Sequence, residues 1–185
     1  YDGANGWRLQ ANLTSYSAFQ DVGASQSLSL YMGEGFNDVM VPLTIKDENG
    51  TLKITAQGSA TYAVLDYKTF GINFYSGAGK QLYNVNSVFK LGSKLFMRGI
   101  LDENEGIYGG GERFDAANRR GTSMNLYTYD AYDAGGAKGT GTYMAIPLFS
   151  TSRGGGMFIN RYEPMNVKFG PTGVQNSEWE VNLEN

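Results

Sequence analysis

The residue types most suggestive of chemistry lie in one stretch, residues 107–121, which reads IYGGGERFDAANRRG. Glu112 and Arg113 follow three consecutive glycines, Gly109 to Gly111, and precede Phe114. An acid beside a cation could be a catalytic acid with a cationic stabiliser. It could also be a structural pair that holds the chain where it turns, by satisfying backbone groups and each other. The structural interpretation is favoured, because three glycines in a row predict a tight turn, a bulge or two backbones in close approach.

Composition excludes several classes of site. The 185 residues include no His and no Cys, so Ser–His and Cys–His nucleophiles, the common zinc-ligand sets and disulfides are excluded. The net charge of −3 leaves no basic surface for nucleic acid, and no apolar run approaches the ~18 residues of a membrane span. We therefore expect no metal, no organic cofactor, no nucleic-acid partner and no membrane partner. The lack of Cys is compatible with either a bacterial cytoplasmic or a secreted location.

The apolar pattern predicts short strands separated by glycine-rich turns. The 26 glycines are spread along the chain as turn residues, and Asn49-Gly50 and Gly154–Gly156 predict two hairpins. A short helical turn is possible near Asp115–Arg119. The predicted strands are Leu28–Met32, Leu52–Thr55, Thr61–Asp66, Phe70–Tyr75, Lys94–Leu101, Tyr143–Ser150, Met157–Tyr162, Asn166–Phe169 and Trp179–Leu183. These predict one all-β domain, an antiparallel β-sandwich with little helix.

The stretch between Gly121 and Tyr143 does not read as strand or turn. It is rich in side chains that bind sugars, since aromatic faces stack on pyranose rings and carboxylates accept hydrogen bonds from hydroxyls. The tyrosines are Tyr127, Tyr129, Tyr132 and Tyr143, and the carboxylates are Asp130 and Asp133. Long irregular loops are usually functional or disordered. From the residues alone, the simpler interpretation, in which the tyrosines pack the loop on the sandwich and the aspartates are solvated, is slightly favoured.

Several motifs in order resemble glycoside hydrolase family 31, the α-glucosidases, α-xylosidases and related transglycosylases. They are Met97–Leu101 with the acidic turn Asp102–Glu105, Ile107–Phe114 (IYGGGERF), Asn118–Gly121 (NRRG), Tyr143–Phe149 (YMAIPLF) and Thr151–Asn160 (TSRGGGMFIN). The resemblance runs from about Met97 to Phe169. It implies the galactose mutarotase-like supersandwich that precedes the catalytic barrel of these enzymes. A free-standing mutarotase is excluded, because those enzymes need His for proton transfer.

The resemblance also implies that the catalytic residues lie elsewhere. In the family the Gly-Glu-Arg-Phe segment belongs to the sandwich, matched here by Gly109, Gly111, Glu112, Arg113 and Phe114, while the nucleophile and general acid are barrel aspartates. A (β/α)₈ barrel takes ~250 residues, and only sixteen follow Phe169. We therefore expect residues 1–185 to be a single N-terminal domain of a larger retaining α-glycosidase or transglycosylase, inactive alone and packed on its own catalytic barrel.

The resemblance implies a substrate contact as well. In the family a loop of this domain reaches over the barrel and helps to form the subsite for the leaving-group sugar. Asp130 is the best positional match and Asp133 the next, with Tyr129 and Tyr132 beside them as further candidates. The chain departs from the family pattern by having Tyr127 and Tyr129 where a Trp and a polar residue are common.

Two other hypotheses remain open from the sequence. The chain could be a stand-alone carbohydrate-binding module that uses the tyrosine-rich loop 124–143. It could also be a purely structural domain whose apolar face, with Met144, Leu148 or Phe158, docks on a partner, although strand residues of this kind more often face the core. The expected ligand of the complete enzyme is an α-linked oligosaccharide or glycoside.

Overall fold

The computed structural model describes residues 42–113, 115–128, 142–159, 161 and 163–184. These residues form thirteen strands and no helix. The strands are β1 (Leu43–Glu48), β2 (Thr51–Ala56), β3 (Thr61–Asp66), β4 (Gly71–Ser76), β5 (Gln81–Val85), β6 (Ser87–Leu91), β7 (Lys94–Leu101), β8 (Ile107–Gly109), β9 (Ser123–Leu126), β10 (Leu148–Thr151), β11 (Gly156–Phe158), β12 (Met165–Phe169) and β13 (Ser177–Glu184). The described part of the chain accordingly holds no helix with the length and apolarity to cross a bilayer.

The strands form three antiparallel sheets. The first is a meander in the order β1-β2-β3-β4-β5, whose strands follow one another along the chain. The second has the order β6-β7-β13-β12-β9, and in it β13 pairs along its full length with β7. The third is small, with the order β11-β10-β8. The predicted antiparallel all-β sandwich is confirmed.

One hydrophobic cluster joins the three sheets. Ala63 and Tyr83 enter it from the first sheet, Trp179 from the second and Phe149 from the third. The Tyr83 and Trp179 rings lie 5.6 Å apart between the first and second sheets. Phe149 meets Phe169 edge to face at 5.2 Å, which packs the small sheet against the second one.

Two strands and two hairpins lie where the sequence predicts them. Lys94–Leu101 and Thr61–Asp66 match without change, and Asn49-Gly50 forms the β1–β2 hairpin with φ of 54° and 103°. Gly154 likewise turns the β10–β11 hairpin. The predicted strand Leu28–Met32 lies outside the described residues.

Other boundaries differ for identifiable reasons. The predicted strand Tyr143–Ser150 begins only at Leu148, because the backbone before it bonds to the glycine run and Pro147 has no N–H to donate. The predicted strand Met157–Tyr162 ends at Phe158, since the Ile159 N–H donates to Pro147 instead. The stretch 122–142, which the sequence presents as irregular, contains β9. Residues 115–119 form bends and no helical turn.

Candidate functional site: the glycine clasp

The three glycines bring two backbones into contact. Gly109, Gly110 and Gly111 all have positive φ, at 125°, 88° and 90°. A Cβ on Gly109 would lie 2.1 Å from the Leu148 carbonyl oxygen, and one on Gly111 would lie 2.1 Å from that of Met144. No side chain fits at either position, so glycine is required by both backbone angle and space. We call residues 109–113, with the facing residues 142–148, the glycine clasp.

Hydrogen bonds close the clasp along both backbones. The Gly110 N–H donates to Leu148 O at 3.1 Å, and the Glu112 N–H donates to Met144 O at 2.9 Å. The Thr142 hydroxyl donates to the Glu112 carbonyl. The Glu112 residue is exposed, and these contacts use its main chain.

Arg113 ties the clasp to the neighbouring strand. Its Nη2 donates to Asn125 O in β9 at 2.7 Å, and its Nε donates to Gly110 O at 3.4 Å. Burial lowers the pKa of the Arg113 guanidinium, with Asp115 acting in the opposite direction. The Phe114 that follows it lies outside the described residues.

Arg119 reaches the clasp from the other side. It is buried, and its Nε donates to Gly109 O at 2.9 Å. Its Nη1 donates to Ala116 O at 2.8 Å and forms an ion pair with Asp115. Arg119 therefore holds the bend 115–119 against the first glycine.

Arg120 is a buried cross-link with acceptors for all five of its N–H groups. The acceptors are the carbonyl oxygens of Gly170, Asp102, Glu105 and Pro171 and the hydroxyl of Ser177, at 2.5–2.9 Å. Burial lowers its pKa, opposed by the charges of Glu105 and Asp102. These contacts join the turn after β7 to the segment between β12 and β13. Such a guanidinium is a structural cation, since it has no proton to exchange near neutral pH.

A buried ion pair lies beside this cross-link. Arg153 Nε lies 2.9 Å from Glu105 Oε1, and the Glu105 side chain is fully buried. Glu105 Oε2 also accepts the Asp102 N–H at 3.0 Å, which fixes the acidic turn. The pKa of nearby Tyr83 is raised, first by burial and then by the Glu105 charge.

The clasp also holds both ends of the tyrosine-rich segment, which is bounded by Thr128 and Thr142. Thr128 and Thr142 form an isolated β-bridge across it, and the Thr128 hydroxyl accepts the Ala145 N–H at 3.1 Å. The predicted substrate residues Tyr129, Asp130, Tyr132 and Asp133 lie outside the described residues, between these two threonines. The sequence does not single out either threonine. Thr142 is nevertheless buried, and its hydroxyl group, which bonds the Glu112 carbonyl, fixes one end of the segment.

A run of exposed apolar side chains lies next to the clasp. On the open face of the small sheet, Leu148 of β10 is 52% exposed and lies opposite Phe158 of β11, which is 46% exposed. Tyr108 of β8 is on the same face, and Met144 and Ile146 of the clasp, just before β10 in the chain, are exposed as well, with exposures of 39–51% for the three. We call these five residues the apolar face. Monomeric domains seldom expose so many large apolar side chains together without a partner.

The family comparison decides the identity of the fold. The model of the glycosyl hydrolase 31 N-terminal galactose mutarotase-like domain matches residues 12–167. The chain belongs to this family. The resemblance seen in the sequence motifs is thus confirmed, and the glycine clasp lies within the matched GH31 N-terminal domain.

Solved structures show the same fold at low sequence identity. A Flavobacterium johnsoniae GH31 dextranase complexed with isomaltotriose is similar, with a TM-score of 0.61 and 20% identity over 77% of this chain and 19% of that one. The Listeria monocytogenes cycloalternan-forming enzyme in complex with a pentasaccharide substrate has a TM-score of 0.65 and 21% identity over 77% of this chain and 14% of that one. The Xanthomonas citri GH31 α-xylosidase has a TM-score of 0.51 and 14% identity over 70% of this chain and 15% of that one. The GH31 N-terminal domain described here thus spans less than a fifth of each of these chains.

The described residues of this GH31 domain hold no group of three or more Asp and Glu side chains that could hold a metal ion. Their buried charges are engaged in cross-links. Arg119 and Arg120 bind carbonyl oxygens, and Glu105 is paired with Arg153. These cross-links fix the backbone at the bend 115–119, in the turn after β7 and in the segment between β12 and β13.

Proposed function

We propose that the chain is the non-catalytic N-terminal domain of a retaining GH31 α-glycosidase, a hydrolase or transglycosylase of the α-glucosidase or α-xylosidase type. In this role it packs on the catalytic (β/α)₈ barrel of its own polypeptide and supplies a loop to the substrate entrance. Family membership and the small share of the similar enzymes that it spans support the proposal. The ligand of the complete enzyme is an α-linked oligosaccharide or glycoside.

The apolar face is the observation that carries the docking role. Along β10 exposed and buried residues alternate, so Phe149 is in the core while Leu148 points away from it. Leu148 and Phe158 are directly paired across the strands, which makes their side chains one continuous surface. Covering such a surface removes apolar area from water, at about 25 cal/mol per Å². A barrel that follows in the same polypeptide is always present at high effective concentration, and the face is suited to it.

The clasp supports the substrate role of the segment that it holds. Contacts to a sugar need carboxylates held on a rigid base, because each misplaced hydrogen bond loses selectivity and affinity. Thr128 and Thr142 provide that base through their bridge and through the Thr142 bond to the clasp. Asp130 and Asp133 would accept hydroxyl hydrogen bonds from the leaving-group sugar, and Tyr129 and Tyr132 would contact the ring faces.

The substrate role predicts an effect of Asp130→Ala in the longer polypeptide that carries the barrel. Removing one carboxylate contact should raise KM for an α-linked oligosaccharide by ~10-fold, equivalent to ~1.4 kcal/mol. The effect on an aryl α-glycoside should be much smaller, because its leaving group has no hydroxyls for Asp130 to bind. Steady-state kinetics on the two substrates measure the difference.

A second variant and the isolated chain complete this test. Asp133→Ala tests the second proposed carboxylate contact in the same way, and an equal effect on both substrates for Asp130→Ala would contradict the assigned contact. The isolated chain should show no turnover of aryl α-glucosides or α-xylosides, and clear turnover would refute a non-catalytic role. Micromolar binding of maltose or isomaltose by the isolated chain, measured by calorimetry, would favour the stand-alone binding module instead.

A further inference from the structure

A polar cleft of about 500 Å³ lies at one end of the first sheet, and none of the residues of the glycine clasp line it. It opens between the β3–β4 hairpin, the turn after β7 and the residue before β13. Its lining is rich in amides and carboxylates. The lining residues are Asp66, Thr69, Gly71, Asn73, Gln81, Asn84, Asn86, Ile100, Asp102 and Asn176. The volume is within the range of small-molecule sites.

Hydrogen bonds fix two side chains of the cleft lining, Asn84 and Gln81. The buried Asn84 side chain bonds both the N–H and the carbonyl of Ile100, each at 2.7 Å. The Gln81 amide donates to Asn73 Oδ1 at 2.9 Å and accepts from Arg153 Nη1 at 2.9 Å. A set of polar groups held in this way needs little reorganisation to bind a ligand.

Two polar groups of the cleft lining are left for a ligand. Asp66 Oδ1 accepts the N–H groups of Lys68 and Thr69 at 2.8 and 3.3 Å. In the described part of the chain, Asp66 Oδ2 and Asn73 Nδ2 have no hydrogen-bond partner. Asp66 pairs with Gly71, two residues before Asn73 on β4, so both side chains are on the same sheet face. An acceptor and a donor at diagonal positions on neighbouring strands suit a ligand that carries several hydroxyls, which both donate and accept.

Phe70 is the aromatic residue next to the cleft along the chain. It lies between Thr69 and Gly71, both of which line the cleft, and it is 50% exposed. Its φ of 54° places it in the left-handed region, which disfavours a bulky side chain and suits glycine. A large apolar residue that is both strained and exposed is typical of a position retained for contact.

We propose that this cleft is a binding site for a neutral oligosaccharide. In it, Phe70 stacks on the apolar face of one pyranose ring, while Asp66 and Asn73 bond separate hydroxyls of the same oligosaccharide. The two lining carboxylates, Asp66 and Asp102, disfavour an anionic ligand. The density of amides disfavours an apolar ligand, because burying them without partners costs free energy. The site uses none of the residues of the clasp or of the apolar face, so it is independent of the proposed docking and substrate roles.

The test is a titration of the isotopically labelled chain with isomaltotriose and with maltotriose, followed by ¹H–¹⁵N correlation spectra. We expect at least one of the two sugars to shift the backbone signals of Thr69, Gly71 and Asn73, with a Kd of about 1 mM. Phe70→Gly should weaken this binding ~10-fold or more and leave the Tm unchanged or higher, because glycine tolerates the backbone angle. A purely structural role for Phe70 would lower the Tm instead.

The control variant is Leu91→Ala, which removes another exposed apolar side chain from a hairpin of the same domain. It should bind as the parent chain does. Absence of shifts at the cleft with both sugars at ~20 mM, where a millimolar site would be nearly saturated, would overturn the proposal. Unchanged affinity in Phe70→Gly, or shifts confined to residues outside the cleft, would also overturn it.

Discussion

Gly111→Ala should destabilise the domain by about 3 kcal/mol or more. An alanine at φ of 90° costs about 1–2 kcal/mol, because the Cβ crowds the following carbonyl. The new Cβ would also lie 2.1 Å from Met144 O and 2.7 Å from Ile146 N, both backbone atoms that move only if the clasp opens. Such overpacking typically costs a further 1–3 kcal/mol or so. Urea unfolding followed by circular dichroism measures the free energy of unfolding.

Gly154→Ala is the matched control for this prediction. Gly154 has a φ of 97°, close to that of Gly111, but a Cβ there would meet no atom within 4 Å. Its substitution therefore isolates the backbone cost, about 1–2 kcal/mol. Equal losses for the two variants would mean that the close approach of the backbones contributes nothing, and the clasp would lose its physical basis.

Arg120→Met should be at least as damaging, with a loss of about 4 kcal/mol or more. The methionine keeps much of the side-chain volume but leaves four carbonyl oxygens and a hydroxyl without their donor. Each buried acceptor left unsatisfied costs about 1–3 kcal/mol. The total free energy of unfolding of a domain is about 5–15 kcal/mol. Because a loss of this size approaches the whole stability of a domain, Arg120→Lys, which offers three donors, provides a graded second measurement with a smaller loss.

The control for Arg120 is an arginine at the surface. Arg161 forms an ion pair with Glu163, and its side chain is one-third exposed. Arg161→Met should therefore cost less than about 1 kcal/mol by the same urea measurement. If Arg120→Met cost no more than this, the cross-link between the turn after β7 and the β12–β13 segment would be unimportant.

The sequence predicts the fold well where a strand is long. Lys94–Leu101 is eight residues long, and it begins and ends where the sequence predicts. β9 has only four residues, with Met124 and Leu126 buried and the two between and before them exposed. That pattern is too short to distinguish from the tyrosine-rich residues that follow it. Its strand character comes from pairing with β12, which is about forty residues further along the chain.

For the glycine clasp, the sequence predicts the kind of contact but not the atoms that form it. Three consecutive glycines indicate close backbone contact, yet nothing local shows that the facing atoms are the carbonyl oxygens of Met144 and Leu148. The same is true of Arg120, whose acceptors come from segments up to 57 residues away. The sequence also favours a buried position for Leu148 and Phe158, whereas both side chains are exposed. Alternation along a strand shows that residues share a face, and only the sheet packing shows which face is covered.

The most direct test of the central claim is the accessibility of the apolar face with and without the barrel. The chain has no Cys, so Phe158→Cys introduces a single thiol at a half-exposed position. The maleimide labelling rate of this thiol is compared between the isolated chain and a longer polypeptide that includes the barrel, with the barrel's own cysteines replaced. Leu91→Cys, in a residue that is 69% exposed and outside the apolar face, is the control. If the face docks on the barrel, Phe158→Cys should label ~10-fold or more slowly in the longer polypeptide, while Leu91→Cys labels equally in both. Equal rates for Phe158→Cys in the two proteins would contradict the docking role.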